Sequence, residues 1–371
     1  MADDVTASTG ARGRELWPDV AKGLCIVLVV LWHVVTKHYR DVGWEAGLVP
    51  AAWSFSTAQL APMRMPLFFA VSGLFAASAV SAPWRDLLRR RVWRFAGLYA
   101  LWLLIHTALF SLTPGVDTAR ARSLTELVEH LLLSPTNLWY LYALALYFLL
   151  AKVTARVPTV WLLPLAFLVS AAASADLLPD GGNRWQVTQN LVFFLGALRL
   201  RVPVRRFADR ATVPRTALAL VLYAGASAAM GLLGARQVYG VWPAVSVTAV
   251  LFGVLLAVVV ARRMPRGARG LAWLGTRTLP VYVLHLPLLA LLDRGAGALG
   301  GGIPTNGPLG TVLAVVEPLL LTALLVWLCL LVHGRLLAVG LGGLFGPTEH
   351  GPRGRRAGSV SSPRGPRASS P

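Results

Sequence analysis

Charged side chains are scarce in this chain. They make up 14% of its 371 residues, against 56% hydrophobic ones, where a soluble domain ordinarily carries about 25%. So little polar surface cannot cover the apolar content of a water-soluble fold. Acid is scarcer still: 16 Asp and Glu stand against 35 Lys and Arg, a net charge of +19. The basic residues fall between apolar blocks rather than along one patch, which argues against nucleic acid and for the loops of a membrane protein. Cysteine is nearly absent. Cys25 and Cys329 lie far apart in apolar segments, so neither a disulfide framework nor a metal site is expected. No small-residue cleavage site follows the first apolar stretch, and a retained first membrane helix is expected there. No internal repeat is visible, so the inverted-repeat signature of many transporters is missing.

What is present is a series of apolar runs near the roughly 20 residues needed to cross a bilayer. The sequence predicts helices over about 20–37, 58–80, 92–113, 136–153, 157–175, 187–200, 213–233, 241–261, 271–292 and 309–333. The fold class is therefore all-α, a polytopic bundle of about ten transmembrane helices, because lipid cannot satisfy open backbone groups. A barrel would need alternating strands, and the pattern is continuous. With the N-terminus inside, 26 Lys and Arg fall on the inner side and 8 on the outer, with Arg277 inside the ninth helix. That asymmetry places both termini in the cytoplasm. Residues 1–13 and 347–371 have the composition of disordered tails, the latter basic, and flank a membrane domain over 14–346. The expected location is the cell membrane, with lipid as the surrounding partner.

Ionisable residues inside membrane helices are costly and mark candidate sites. The apolar runs hold His33, Arg64, His106, Arg277, His285 and Glu317. At a rise of about 1.5 Å per residue, His33 lies about 18 Å from Ala21 and His285 about 21 Å along its helix. Arg64 and Glu317 lie about 9 and 12 Å below the outer ends of inward-running helices. These four share the outer portion of the membrane. A shared site and unrelated interhelical hydrogen bonds are both open for His33 and His285, and the second reading is favoured for His106. Arg89, Arg90, Arg91 and Arg94 cluster at the inner start of the third helix. Such a cluster suits phosphate, although plain positive-inside anchoring also explains it.

Four stretches resemble one family. Residues 14–33, RELWPDVAKGLCIVLVVLWH, hold Asp19, then Lys22 and Gly23, then a helix ending in His33. Residues 63–75, MRMPLFFAVSGLF, carry Met-Pro-Leu-Phe-Phe and Ser72-Gly73. Residues 89–102 include the Arg-x-x-Arg spacing at Arg91 and Arg94, and residues 275–285, GTRTLPVYVLH, hold Tyr282 and His285. Their order and placement are similar to the acyltransferase-3 family of membrane-bound O-acyltransferases. Two positions depart from it: Arg64 stands where many members have His, and Leu98 where Pro is common.

The resemblance implies transfer of an acyl group, commonly acetyl from acetyl-CoA, to a hydroxyl of a glycan, a lipid-linked sugar or a small molecule. His33 matches the catalytic His of the first helix. Arg91 and Arg94 match the pair that acts on the CoA side, and Ser72 and Gly73 match the Ser-Gly block. His33 would serve as general base or form an acetyl-histidine. His285, Tyr282 or Arg64 would stabilise the oxyanion. Gly73 would either let the pantetheine arm pass or simply pack helices. Asp19, Lys22 and Glu317 complete the candidate set. A small-molecule transporter and a non-catalytic scaffold that keeps these blocks without the chemistry are the competing functions; the transporter does not explain the Arg91/Arg94 pair together with the His33 block.

Overall fold

The computed structural model describes residues 15–113, 120–179, 181–298 and 304–346. The two predicted tails, 1–13 and 347–371, therefore lie outside the described residues. Among the described residues the secondary structure is helical throughout. The first half contains α1 (Trp17–Lys37), α2 (Val49–Gln59), α3 (Ala61–Leu74), α4 (Ala77–Ser81), α5 (Trp84–Leu87), α6 (Trp93–Ser111), α7 (Leu124–Leu132) and α8 (Trp139–Val153). The second contains α9 (Thr159–Ser174), α10 (Arg184–Arg199), α11 (Arg201–Asp209), α12 (Val213–Leu232), α13 (Val241–Arg263), α14 (Pro265–Gly275), α15 (Thr278–Ala298) and α16 (Gly307–Ala338).

Helix α1 is the axle of the bundle, packing against α3, α13, α14, α15 and α16. Its apolar residues Val20, Ala21, Val29 and Val30 are buried on different faces, as expected of a helix surrounded by others. Around it, α10 packs on α3, α8 and α9, and α12 lies on α13. The outward faces stay apolar. Val160, Trp161 and Leu165 on α9, Leu218 and Val221 on α12, and Leu319, Leu320 and Trp327 on α16 are all exposed. In water such surfaces would aggregate; in lipid they are the solvated face.

Each of the ten predicted segments is helical, with differences. Five helices are long and apolar enough to cross a membrane: Trp17–Asp41, Trp84–Ser111, Val213–Leu232, Val241–Arg263 and Gly307–Ala338. A bent pair, Pro265–Gly275 with Thr278–Gly295, would make a sixth. The remaining predicted segments form shorter helices: α3 has 14 residues, α8 has 15, and α9 and α10 have 16 each. The predicted single helix over 271–292 is broken into α14 and α15 with a 75° bend. Arg277 thus lies in the turn and stacks on Trp273 at 4.3 Å rather than inside a helix. The break has a packing reason. A Cβ at Gly275 would stand 1.8 Å from the Asp19 carbonyl oxygen, so α14 lies against the start of α1 only because residue 275 is glycine. The predicted segment 58–80 likewise divides into α3 and α4 around Phe75 and Ala76. Four stretches read as connections contain helices, α2, α5, α7 and α11. Helix α7 begins on a Ser123 cap that accepts from the Glu126 amide at 3.1 Å.

Candidate active site

The site is built from α1, α3, α6, α8 and α15. His33 and His285 face each other across the α1–α15 interface, with His33 9% and His285 1% exposed. His285 Nε2 lies 3.1 Å from His33 Nδ1, and the ring centroids are 4.8 Å apart. Backbone carbonyls one turn back assign the protons. His285 Nδ1 lies 3.0 Å from the Val281 carbonyl, an acceptor only, so Nδ1 carries the hydrogen and Nε2 presents a lone pair. His33 Nδ1 lies 2.9 Å from the Val29 carbonyl. Its hydrogen is shared between that oxygen and His285 Nε2. This leaves Nε2 of His33 as the lone pair of the dyad, with no hydrogen-bond partner among the described residues.

Below the pair is a cavity of about 360 Å³. Ile26 and Val29 of α1, Tyr140 of α8 and Tyr282 of α15 line its upper part, while Lys22 and Arg91 line its other end. Tyr282 donates to the Asn137 carbonyl at 2.8 Å and accepts from the Tyr140 amide at 3.1 Å. Its hydroxyl is therefore engaged in holding α15 to α8. Ser72 donates to the Phe68 carbonyl at 2.9 Å and lies 3.0 Å from the Tyr140 hydroxyl. The Tyr140 hydroxyl consequently donates to Ser72, a link within the cavity wall that the sequence did not reveal. Gly73 points the other way. A Cβ there would stand 2.1 Å from the Phe194 carbonyl oxygen, so it seats α3 directly on the backbone of α10.

Arg91 belongs to a second, wider cavity of about 970 Å³, lined also by Asp86, Arg89, Arg90, Trp93, Arg94 and Gly346. One π turn, Leu88–Val92, joins α5 to α6 and carries three of these arginines. Arg91 also lies over the Phe148 ring at 5.7 Å. Lys22 pairs with Asp19 at 3.0 Å, so Asp19 acts on the mouth of the narrow cavity through Lys22.

The remaining candidates separate. Arg64 is 9% exposed and stacks over Trp32 at 4.3 Å, and the Trp32 ring meets His33 edge-on at 4.5 Å. Glu317, grouped by depth with the histidines, is instead beside His38, whose Nε2 lies 3.0 Å from its Oε1. Depth alone could not assign it, because it fixes height and not azimuth. The other ring nitrogen of His38 lies 2.5 Å from Asp293 Oδ1. Neither His38 nor Asp293 was visible as a site residue, since both fall at helix ends where polar residues are ordinary. His106 donates from Nε2 to the Val283 carbonyl at 2.8 Å, an interhelical bond between α6 and α15.

Lipid-facing helices around an enclosed pair of histidines, with Val29 one turn below His33 lining a cavity whose other end holds Lys22 and Arg91, mark an integral membrane protein. The chain belongs to the acyltransferase-3 family, whose model, described as an acyltransferase domain, matches residues 15–334. It is 31% identical over 203 residues to the inner membrane protein YcfT of Escherichia coli (strain K12), covering 50% of this chain and 56% of that protein. The chain thus spans a little over half the length of this curated relative. No solved structure matches.

Proposed function

We propose that the protein transfers an acyl group, acetyl in the simplest case, from cytoplasmic acyl-CoA to a hydroxyl on an extracytoplasmic acceptor. The observation that carries this reading is Arg91, which lines both the wide arginine cavity and the narrow cavity beneath the histidines. A CoA molecule has this shape: phosphates at one end, and a long, thin pantetheine arm ending in the thioester. Arg89, Arg90, Arg91 and Arg94 suit the phosphates, since guanidinium groups bind phosphate oxygens in pairs. Lys22 stands at the same mouth. The narrow cavity then takes the arm past Ser72 and Tyr140 toward Val29. No metal is called on.

In the reaction His33 Nε2 takes the proton of the acceptor hydroxyl as its oxygen attacks the thioester carbonyl carbon. The C–O bond forms and a tetrahedral oxyanion results. Its collapse breaks the C–S bond, and the thiolate leaves with the proton held on His33. His285 keeps His33 in the productive tautomer by accepting at Nδ1, the service that a carboxylate performs in serine hydrolases. The acceptor class is a glycan, a lipid-linked sugar or a small molecule with a free hydroxyl. The companion topology has ten membrane segments in the plasma membrane, with both termini in the cytoplasm on the 26-to-8 distribution of basic residues.

The test is direct. Purified protein in detergent, given acetyl-labelled acetyl-CoA and a membrane extract, should release free CoA and move label to a hydroxyl compound or to water. Protein that does neither would sink the reading. A reporter fused after residue 371 should be active on the cytoplasmic side only; activity outside would reverse the orientation.

A further inference from the structure

We infer that the acceptor is an anionic hydroxyl compound whose carboxylate or phosphate pairs with Arg64 beside His33. This rests on the acyl-transfer reading. Arg64 is a buried guanidinium whose Nη1 has no hydrogen-bond partner. Among the described residues no carboxylate lies within ion-pair distance of it. Three acids of this end have other partners: Asp293 and Glu317 flank His38, and Asp176 accepts from Gln237 at 3.0 Å. A further charge acting on it is also cationic. Arg236, exposed in the turn Ala235–Gln237, lies within electrostatic range of Arg64. An uncompensated charge within the membrane is costly and is retained where it is used. Stacking on Trp32 returns only part of that cost, since a cation–π contact is weaker than an ion pair of good geometry.

The anion that fits here does not come from the donor. The donor's phosphates have their own cations at Lys22 and Arg91, at the far end of the narrow cavity. Met65, the next residue along α3, lines that cavity, whereas Arg64 stacks on Trp32, whose ring meets His33, and does not line it. A negatively charged acceptor entering from the opposite end would meet Arg236 first. It would then be held by Arg64 with a hydroxyl within reach of the imidazole. A guanidinium also fixes the orientation of the anion through paired hydrogen bonds.

The experiment uses membranes from cells carrying the full-length protein, Arg64→Gln, Arg64→Lys or no copy, grown on isotope-labelled acetate. Compounds whose acetyl label depends on the protein are separated on an anion exchanger at pH 7, and their masses distinguish carboxylate from phosphate. The expected result is a labelled anion. With that compound as acceptor, Arg64→Gln should raise the acceptor KM at least tenfold. Arg64→Lys should recover part of the loss, and purified Arg64→Gln should still bind acetyl-CoA. A protein-dependent product that is neutral at pH 7 overturns the inference and leaves acyl transfer standing. So does an Arg64→Gln variant that lowers kcat with the acceptor KM unchanged, which would make Arg64 an oxyanion group or a simple anchor on Trp32. No protein-dependent label at all overturns both readings.

Discussion

Two histidines five residues apart, His33 in α1 and His38 at its C-terminal cap, have opposite surroundings. His33 meets another imidazole and a backbone carbonyl, with no acid among its hydrogen-bond partners in the described residues. His38 is gripped by two carboxylates, Asp293 from α15 and Glu317 from α16. On the proposed mechanism the contrast separates a reactive imidazole from a structural one. A base must keep one nitrogen unoccupied, and His33 does. At His38 both nitrogens are taken, and what the cluster does is tie the ends of three helices together.

The sharpest test of that contrast is His33→Ala. Its transfer rate should fall by about 10²–10⁴, the usual worth of a general base, while acetyl-CoA binding by purified protein persists. A variant that folds, binds the donor and transfers at the wild-type rate would collapse the distinction. The second test asks whether the approach to His33 is as specific as the base. Arg91→Ala should raise the donor KM by about 10- to 100-fold, the range for a charge-assisted contact of roughly 1.5–3 kcal/mol. Arg91→Lys should restore this only in part, and steady-state kinetics with varied acetyl-CoA reads both. An unchanged donor KM would return the cluster to membrane anchoring.

A subtler pair probes the partner of the base. His285→Ala removes the acceptor at His33 Nδ1, whereas His285→Gln can present an amide oxygen near the position of Nε2. The glutamine variant should therefore transfer several-fold faster than the alanine variant, on the order of the 0.6–2 kcal/mol of one interhelical hydrogen bond. Equal rates would mean that His285 only fills space. The smallest effect on chemistry is expected at the other end of the comparison. His38→Ala should change the transfer rate by less than about threefold. It should nevertheless lower the melting temperature in detergent, because removing one partner leaves Asp293 and Glu317 crowded without a counter-charge. A loss of rate matching His33→Ala would place His38 in the reaction.

The two histidines also show what was legible in the sequence. His33, His285, Arg91 and Arg94 stand out as ionisable groups within or against apolar runs, and the helix periodicity gives their height. Lys22 and Ser72 gained a place through the same local blocks, and both line the narrow cavity. What periodicity does not give is which helices are neighbours. Glu317 was assigned by height to the His33 group, but its partner is set by how α16 lies against α1, across almost 280 residues of sequence. Tyr140 was hidden for the same reason: an aromatic residue in an apolar run looks like packing until Ser72 is placed opposite it. The broken ninth segment was missed because apolarity is continuous through 271–292, while the close approach of Gly275 to the Asp19 backbone at the break depends on which helices are neighbours.

The π turn at Leu88–Val92 has a consequence for how this cavity is built. A wide turn adds a residue without advancing the screw by a full α step, and each residue of an α-helix is worth about 100° of rotation. The chain before the turn and the chain after it are therefore in different phases. Trp84 and Arg85 follow one screw, and Phe95 and Leu98 another. Arg91 sits at the seam, which is how a single side chain comes to border two chambers. Adding or removing one residue here would act as a rotation more than a change of length, swinging the guanidinium off the opening while leaving every helix intact.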